Sequence, residues 1–353
     1  MALQTTWFIL ITVVWSGFFV LEGFDFGVGM LVPVLGRDDV ERRLLRATIG
    51  PFWDGNEVWL LVAGGAMFAA FPDWYATMFS AYYLPLFVVL VALILRAVAS
   101  EYRDKATTAA GRRTWDWLMA AGCLLAPLLI GVALGGLLGG LPIDSQKEFT
   151  GTFTDLVQPY ALFTGLTFAA LCKLQGLAFL RIRTSGQIEA RASTVIRPVG
   201  VAVVGLLVVF MFWTQAVSGS GVIPNAGAWL ALTFAVATAW LGFEPAHRGW
   251  AFACSSLTIA CTVFGFFGEL YPNLMVSTTA AANTLTISNS SSGSYTLTLI
   301  TIITLVMLPV VLLYTAWNYW VFRRRLDPPD PEDPGDPGEA ALIQPDVSDA
   351  SRP

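Results

Sequence analysis

Four carboxylates stand inside two apolar runs, and they are the residues of this sequence best placed to move protons. Asp54 and Glu57 fall in Gly50-Pro51-Phe52-Trp53-Asp54-Gly55-Asn56-Glu57-Val58-Trp59-Leu60, at the head of a long apolar stretch. Glu22 and Asp25 fall in Glu22-Gly23-Phe24-Asp25-Phe26-Gly27-Val28-Gly29, inside another. An ionisable group at membrane depth is expensive, so each of the four is a functional candidate by default. Each pair is spaced by three residues, which puts both members on one helix face. Gly29, four residues beyond Asp25, continues that face and lets a neighbouring helix come close.

Depth follows from the helical rise. Asp54 lies about 5 Å in from Pro51 and Glu57 about 9 Å, while Asp25 lies about 13 Å in from Val34. Sequential antiparallel helices tend to be neighbours. The carboxylates would then step inward as a ladder, Asp54, Glu57, Asp25 and Glu22, able to relay protons from the inner surface. A second role stays open for Asp54: with Gly55 and Asn56 it could cap the start of its helix, near the positive end of the dipole. Arg96, at the inner end of the third apolar span, is a candidate to neutralise one carboxylate. Trp53 and Trp59 read first as packing and interface residues. Lys173 either snorkels to the inner surface or pairs with a carboxylate.

The elements that must hold these residues are membrane spans. Apolar residues make up 56% and charged residues 13% of the 353 residues, and the mean hydropathy is +0.65. A soluble domain of this length carries about a quarter charged residues. The sequence therefore predicts an all-α polytopic membrane protein. Nine spans lie near 7–34, 51–71, 75–98, 115–139, 160–182, 198–217, 226–243, 250–270 and 297–321, each close to the ~20 apolar residues that a bilayer needs. Lys and Arg gather in the first, third, fifth and seventh connections and after the last span, and only Lys147 falls in any of the others. This alternation predicts an N-terminus outside and a C-terminus in the cytoplasm. Tyr314, Trp317, Tyr319 and Trp320 precede the last arginines as an aromatic belt at the inner interface.

The chain divides into a transmembrane domain, 1–326, and an acidic, Pro-rich tail, 327–353, which cannot bury enough apolar surface to order itself. The tail supplies much of the net charge of −5, so acidity says little about partners, and nothing points to nucleic acid. The Ser/Thr/Asn-rich stretch from Ser277 to Ser294 is expected to lie along the outer membrane surface or to fold against a partner. Cys123, Cys172, Cys254 and Cys261 lie in apolar segments without a CxxC pair and read as small core residues. His247 is the one histidine and sits in the polar turn Glu244-Pro245-Ala246-His247-Arg248. A chain carrying several haems on paired imidazoles is thereby excluded.

The two acidic motifs carry a resemblance. Glu22 to Gly29 resembles the first-helix signature of subunit II of the cytochrome bd-type quinol oxidases, and Trp53-Asp54-Gly55-Asn56-Glu57-Val58-Trp59-Leu60 resembles its second-helix signature. Ala63-Gly64-Gly65-Ala66, Phe68-Ala69-Ala70-Phe71-Pro72, Trp115-Asp116-Trp117, Trp250-Ala251-Phe252 and Leu313-Tyr314-Thr315-Ala316-Trp317 are similar too, while 141–249 matches weakly. The resemblance implies two four-helix bundles plus a peripheral helix in a bacterial cell membrane. It implies a heterodimer in which subunit I holds the b-type haems, the d-type haem and the quinol site, and this chain holds none of them. The complex would oxidise quinol and reduce dioxygen to water with protons from the cytoplasm. By motif position, Asp54 would belong to a proton pathway at the subunit interface and Trp59 to a dioxygen route, with Asp25 a matching acidic position. A small single-helix subunit, and a structural quinone or a lipid bound here, are left open. A proton- or cation-coupled secondary carrier is the competing class, since it too has intramembrane carboxylates; no inverted repeat speaks for it.

Overall fold

The computed structural model describes residues 2–242 and 244–326, so the expected tail, 327–353, lies outside the described residues. The chain is helical almost throughout. In order, the helices are α1 (Ala2–Leu35), α2 (Asp39–Ile49), α3 (Trp53–Ala70), α4 (Pro72–Ala81), α5 (Tyr83–Tyr102) and α6 (Ala109–Gly139). There follow α7 (Phe153–Leu156), α8 (Pro159–Arg183), α9 (Gly186–Ser218), α10 (Ala226–Leu241) and α11 (Arg248–Leu270). Two short antiparallel strands, β1 (Asn273–Met275) and β2 (Leu285–Thr286), precede α12 (Ser294–Val321).

Among the described residues, 7 helices are long and apolar enough to cross a membrane: α1, α5 with the turn to Lys105, α6, α8, α9, α11 and α12. The two remaining expected spans correspond to α3, whose polar head Asp54-Gly55-Asn56-Glu57 lowers its hydropathy, and to α10, which is apolar but shorter. The third expected span is not one helix. Pro72 opens α4, and the chain breaks again at Tyr82 before α5. Pro85 is the reason: it has no N–H to donate to the carbonyl four residues back, so the turn through Ala81 and Tyr82 cannot stay regular.

Burial separates the centre from the rim. In the most apolar stretch of α8, 72% of residues are buried, against 6% in α12. α1 and α8 cross so closely that a Cβ on Gly27 would come within 2.7 Å of the Gly176 Cα. Glycine is required there because the backbones themselves are in contact. α1 also packs against α3, α6 and α11, and α8 against α6, α9 and α11, so these two helices tie the molecule together. α12 packs mainly against the edge formed by α3 and α1.

The arginine-bearing connections meet at one end, the arginine-rich end. There Arg46 bonds Asp104, Arg191 bonds Glu41, and Arg181 donates to the carbonyls of Leu241 and Glu244. The first connection, expected only as a loop, forms α2, capped by Asp38 through its bond from the Glu41 N–H and buried through Leu44, Leu45 and Ile49. At the opposite end the Ser/Thr/Asn-rich stretch finds its partner within this chain. Leu141 N–H donates to the Val276 carbonyl, and Ser277 and Asn283 donate to the Ile143 carbonyl.

Candidate functional site

Three helices converge on one cluster at membrane depth. α1 supplies Glu22 and Asp25, α3 supplies Asn56 and Glu57, and α5 supplies Arg96. Glu22 and Asp25 are both 0% exposed and Arg96 is 2% exposed. Arg96 bridges two carboxylates: Nη1 donates to Glu22 Oε1, and Nη2 donates to Glu57 Oε2 at 2.7 Å. Its guanidinium also lies over the rings of Phe26, at 5.1 Å, and Trp53, at 5.3 Å. A buried guanidinium with two carboxylates and two aromatic faces is well compensated.

Asp25 is held differently. Its Oδ2 accepts from Asn56 Nδ2 at 2.7 Å, and the second hydrogen of that amide goes to the Leu21 carbonyl at 2.9 Å. Asn56 Oδ1 accepts from the Tyr319 hydroxyl at 3.0 Å. No guanidinium or ammonium among the described residues hydrogen-bonds Asp25. Its Oδ1, like Glu22 Oε2, is buried without a partner.

The expected ladder is thus two branches. Glu22 and Glu57 are joined through Arg96, and Asp25 is reached from α3 through Asn56. Asp54 stands apart: it is exposed and bonds none of the described residues. It does not cap α3 either, because the N-cap position is Phe52 and no side chain bonds there. Asp54 and Glu57 line the mouth of an apolar groove of about 750 Å³ between α3, α4 and α5, floored by Trp15, Ile130 and Ala133. Trp59 is buried against Gly17 of α1, where a Cβ would sit 2.8 Å from its ring. Lys173 is half-buried and pairs with no carboxylate among the described residues.

Arg96 was visible in the sequence as a counter-ion for one carboxylate; that it serves two depends on α5 reaching across both α1 and α3. Asn56 was legible only as part of a cap, although a buried amide demands partners on both its faces. Tyr319 was assigned to the interfacial belt. Its neighbours Tyr314, Trp317 and Trp320 are indeed exposed, but Tyr319 turns inward and stacks on Phe52 with ring centroids 4.7 Å apart.

The family model for cytochrome bd terminal oxidase subunit II matches residues 3–322. The chain belongs to this family. It is 40% identical to the cytochrome bd ubiquinol oxidase subunit 2 of Bacillus subtilis over 92% of this chain and 97% of that protein. It is 35% identical to the cytochrome bd-I ubiquinol oxidase subunit 2 of Escherichia coli K12 over 90% of this chain and 93% of that protein. A chain in the structure of the bd oxidase from Geobacillus thermodenitrificans superposes with a TM-score of 0.69 at 17% identity, covering 91% of this chain and 99% of that one. At that identity the likeness speaks for the fold alone. As a subunit II, the chain is one multi-pass subunit of a terminal oxidase in the cytoplasmic membrane, and it is not a secondary carrier.

A subunit II implies a subunit I. The family implies haems in that partner subunit. Among the described residues no three His, Cys, Asp or Glu gather as a metal site, and His247 is exposed in its turn. By family membership, the catalytic centres lie in the partner subunit.

Proposed function

We propose that this chain is the proton-delivering and supporting subunit of a quinol:dioxygen oxidoreductase, with Asp25 as the group that takes up and releases the proton. Quinol is oxidised and dioxygen reduced to water on subunit I, which holds the b-type and d-type haems. α3 and α10 complete nine spans, arranged as two four-helix groups, α1, α3, α5, α6 and α8 to α11, with α12 peripheral. The arginine-rich end faces the cytoplasm and the N-terminus faces outward. Protons enter at the groove mouth by Asp54 and Glu57 and pass inward to Asp25 and Glu22, while Trp59 flanks a dioxygen route. Subunit I covers an apolar face of this chain and depends on it for assembly. Membrane lipids, a small single-helix subunit and a structural quinone are further partners of the complex.

The observation that carries the relay is the contrast in partners. Glu22 and Glu57 are tied to a guanidinium, whereas Asp25 is tied to a neutral amide. A carboxyl held by an amide can gain or lose a proton without weakening an ion pair, whereas Glu22 and Glu57 pass a proton only at the expense of their pairing with Arg96. The test is Asp25→Asn in the intact complex, which keeps the shape and removes the titrating group. Haem content and assembly are expected to survive while oxygen consumption falls by about tenfold or more. An assembled Asp25→Asn complex with unchanged turnover from acid to alkaline pH would end the proposal.

A further inference from the structure

We infer that Tyr319 is a positioning residue of the relay: through the Asn56 amide it fixes which oxygen of Asp25 carries the proton. The inference rests on the Asp25 relay proposed above. α12 is almost unburied along its length, yet its arginine-rich end is tied to the start of α3 by three contacts. Asn318 Nδ2 donates to the Pro51 carbonyl at 3.2 Å, the Tyr319 ring stacks on Phe52, and the Tyr319 hydroxyl donates to Asn56 Oδ1 at 3.0 Å. Packing would need only the ring. The hydroxyl does something else.

An amide is polar end to end, with one acceptor oxygen and one nitrogen bearing two hydrogens. The Tyr319 hydroxyl donates into the oxygen of Asn56, and the Leu21 carbonyl can only accept from the nitrogen. Both ends of the amide are thereby fixed. The remaining hydrogen of Nδ2 must point at Asp25 Oδ2, so Oδ2 is an acceptor in every protonation state of Asp25. The exchangeable proton is left to Oδ1, the buried oxygen that no group among the described residues engages. Glu22, one turn away on the same face of α1, offers a second buried carboxyl oxygen without a partner among the described residues, Oε2. Without the hydroxyl, only the Leu21 carbonyl would orient the amide, and Asn56 Oδ1 would be left buried and unmatched, a state with a real cost.

The titratable groups of this cluster are Glu22 on α1, Glu57 on α3, Arg96 on α5, the Cys123 thiol on α6, which abuts Gly29, the Cys172 thiol on α8, which abuts Gly23, and Tyr319 itself. The test compares three variants of the complex, each assayed with a short-chain quinol across a pH series. Tyr319→Phe keeps the stack on Phe52 and removes the hydroxyl. It is expected to keep its haems and its KM for quinol, to lower kcat by about fivefold and to displace the pH profile of kcat. Asn318→Ala loosens the same end of α12 without touching Asn56, and is expected to keep the wild-type pH profile. Asp25→Asn reports on the relay itself. If Asp25→Asn is impaired while Tyr319→Phe has wild-type turnover and pH profile, the inference fails and the relay stands. If Tyr319→Phe and Asn318→Ala lose turnover alike with the pH profile unmoved, Tyr319 only docks α12, and the inference fails as well. Wild-type behaviour of Asp25→Asn removes the relay and this inference together.

Discussion

α5 is gripped by two clusters of charge, and they are built on opposite principles. At the arginine-rich end, Arg103 donates to both oxygens of Asp116, at 2.6 and 3.2 Å, and to Asp39 at 2.8 Å. Arg112 takes the other oxygen of Asp39, Arg42 adds a bond to Asp116, and Arg46 holds both oxygens of Asp104. Arginines outnumber aspartates there, and every carboxylate oxygen is engaged. Seven residues back from Arg103, the membrane cluster reverses the balance: Arg96 serves Glu22 and Glu57, Asp25 has no cation bonded to it, and two buried carboxyl oxygens have no partner among the described residues. A saturated cluster has no place for another proton and acts as a staple. A cluster short of cations has one, and that shortage is what a relay needs.

The staple should fail structurally. Arg103 and Asp116 are both 0% exposed, and removing one partner of a buried pair costs about 3–5 kcal/mol because the other charge is left unpaired. Arg103→Ala is expected to leave Asp116 with only the 3.3 Å bond from Arg42 and to loosen α2 and α6 at the end of α5. Assembled complex should be largely lost, and what remains should unfold at a lower temperature. An Arg103→Ala complex that assembles normally and is slowed only in turnover would erase the distinction between the clusters.

Asp54 sharpens the comparison from the other side. It is exposed and makes no bond to the described residues, so Asp54→Asn should change stability by no more than about 0.5 kcal/mol. Its loss should appear in oxygen consumption, severalfold down, concentrated in the proton-requiring steps that follow dioxygen binding. Unchanged turnover would take Asp54 out of the entrance and leave Glu57 as the first carboxyl on the path.

What could be read from the sequence, and what could not, follows the range of the interactions. The apolar runs declare their helices, and a carboxylate inside one declares itself by its cost, so Glu22, Asp25, Asp54 and Glu57 were legible. Pro85 carried the break between α4 and α5 in plain view, although a hydropathy window runs straight across it. Tyr319 and Asn56 are 263 residues apart. Nothing in an aromatic cluster beside terminal arginines tells one inward-facing ring from its lipid-facing neighbours, since that choice is made by where α12 lands on α3. The Ser/Thr/Asn-rich stretch had the same difficulty. Its hydroxyls and amides needed acceptors, but the Ile143 carbonyl that accepts from Ser277 and Asn283 lies 134 and 140 residues away.

The smallest effect expected is an acid limb that belongs to the staple alone. Burial works against ionisation of Asp39, but hydrogen bonds from Arg103 and Arg112 outweigh it and hold the carboxyl below its ordinary value of 3.8. Burial likewise opposes ionisation of Glu41, which the bond from Arg191 and the Arg37 N–H hold below 4.5. Both folded values lie under the unfolded ones. The stability each contributes is therefore complete above the unfolded value, near pH 4 to 5, and is lost as pH falls through the folded value. Asp39 is 45% exposed, so solvent screening limits its share to within about 1 kcal/mol. Asp39→Asn should lower the unfolding temperature slightly at pH 7 and make the fall between pH 5 and the acid limit shallower, because the variant has less to lose there. High salt should shrink the difference between the two proteins, since an exposed pair is screened over a few ångströms at about 1 M. The turnover profile near neutrality should be the same in both. If Asp39→Asn moved that profile and left the acid limb of stability alone, the arginine-rich cluster would be carrying protons, and the contrast with Asp25 would have to be drawn elsewhere.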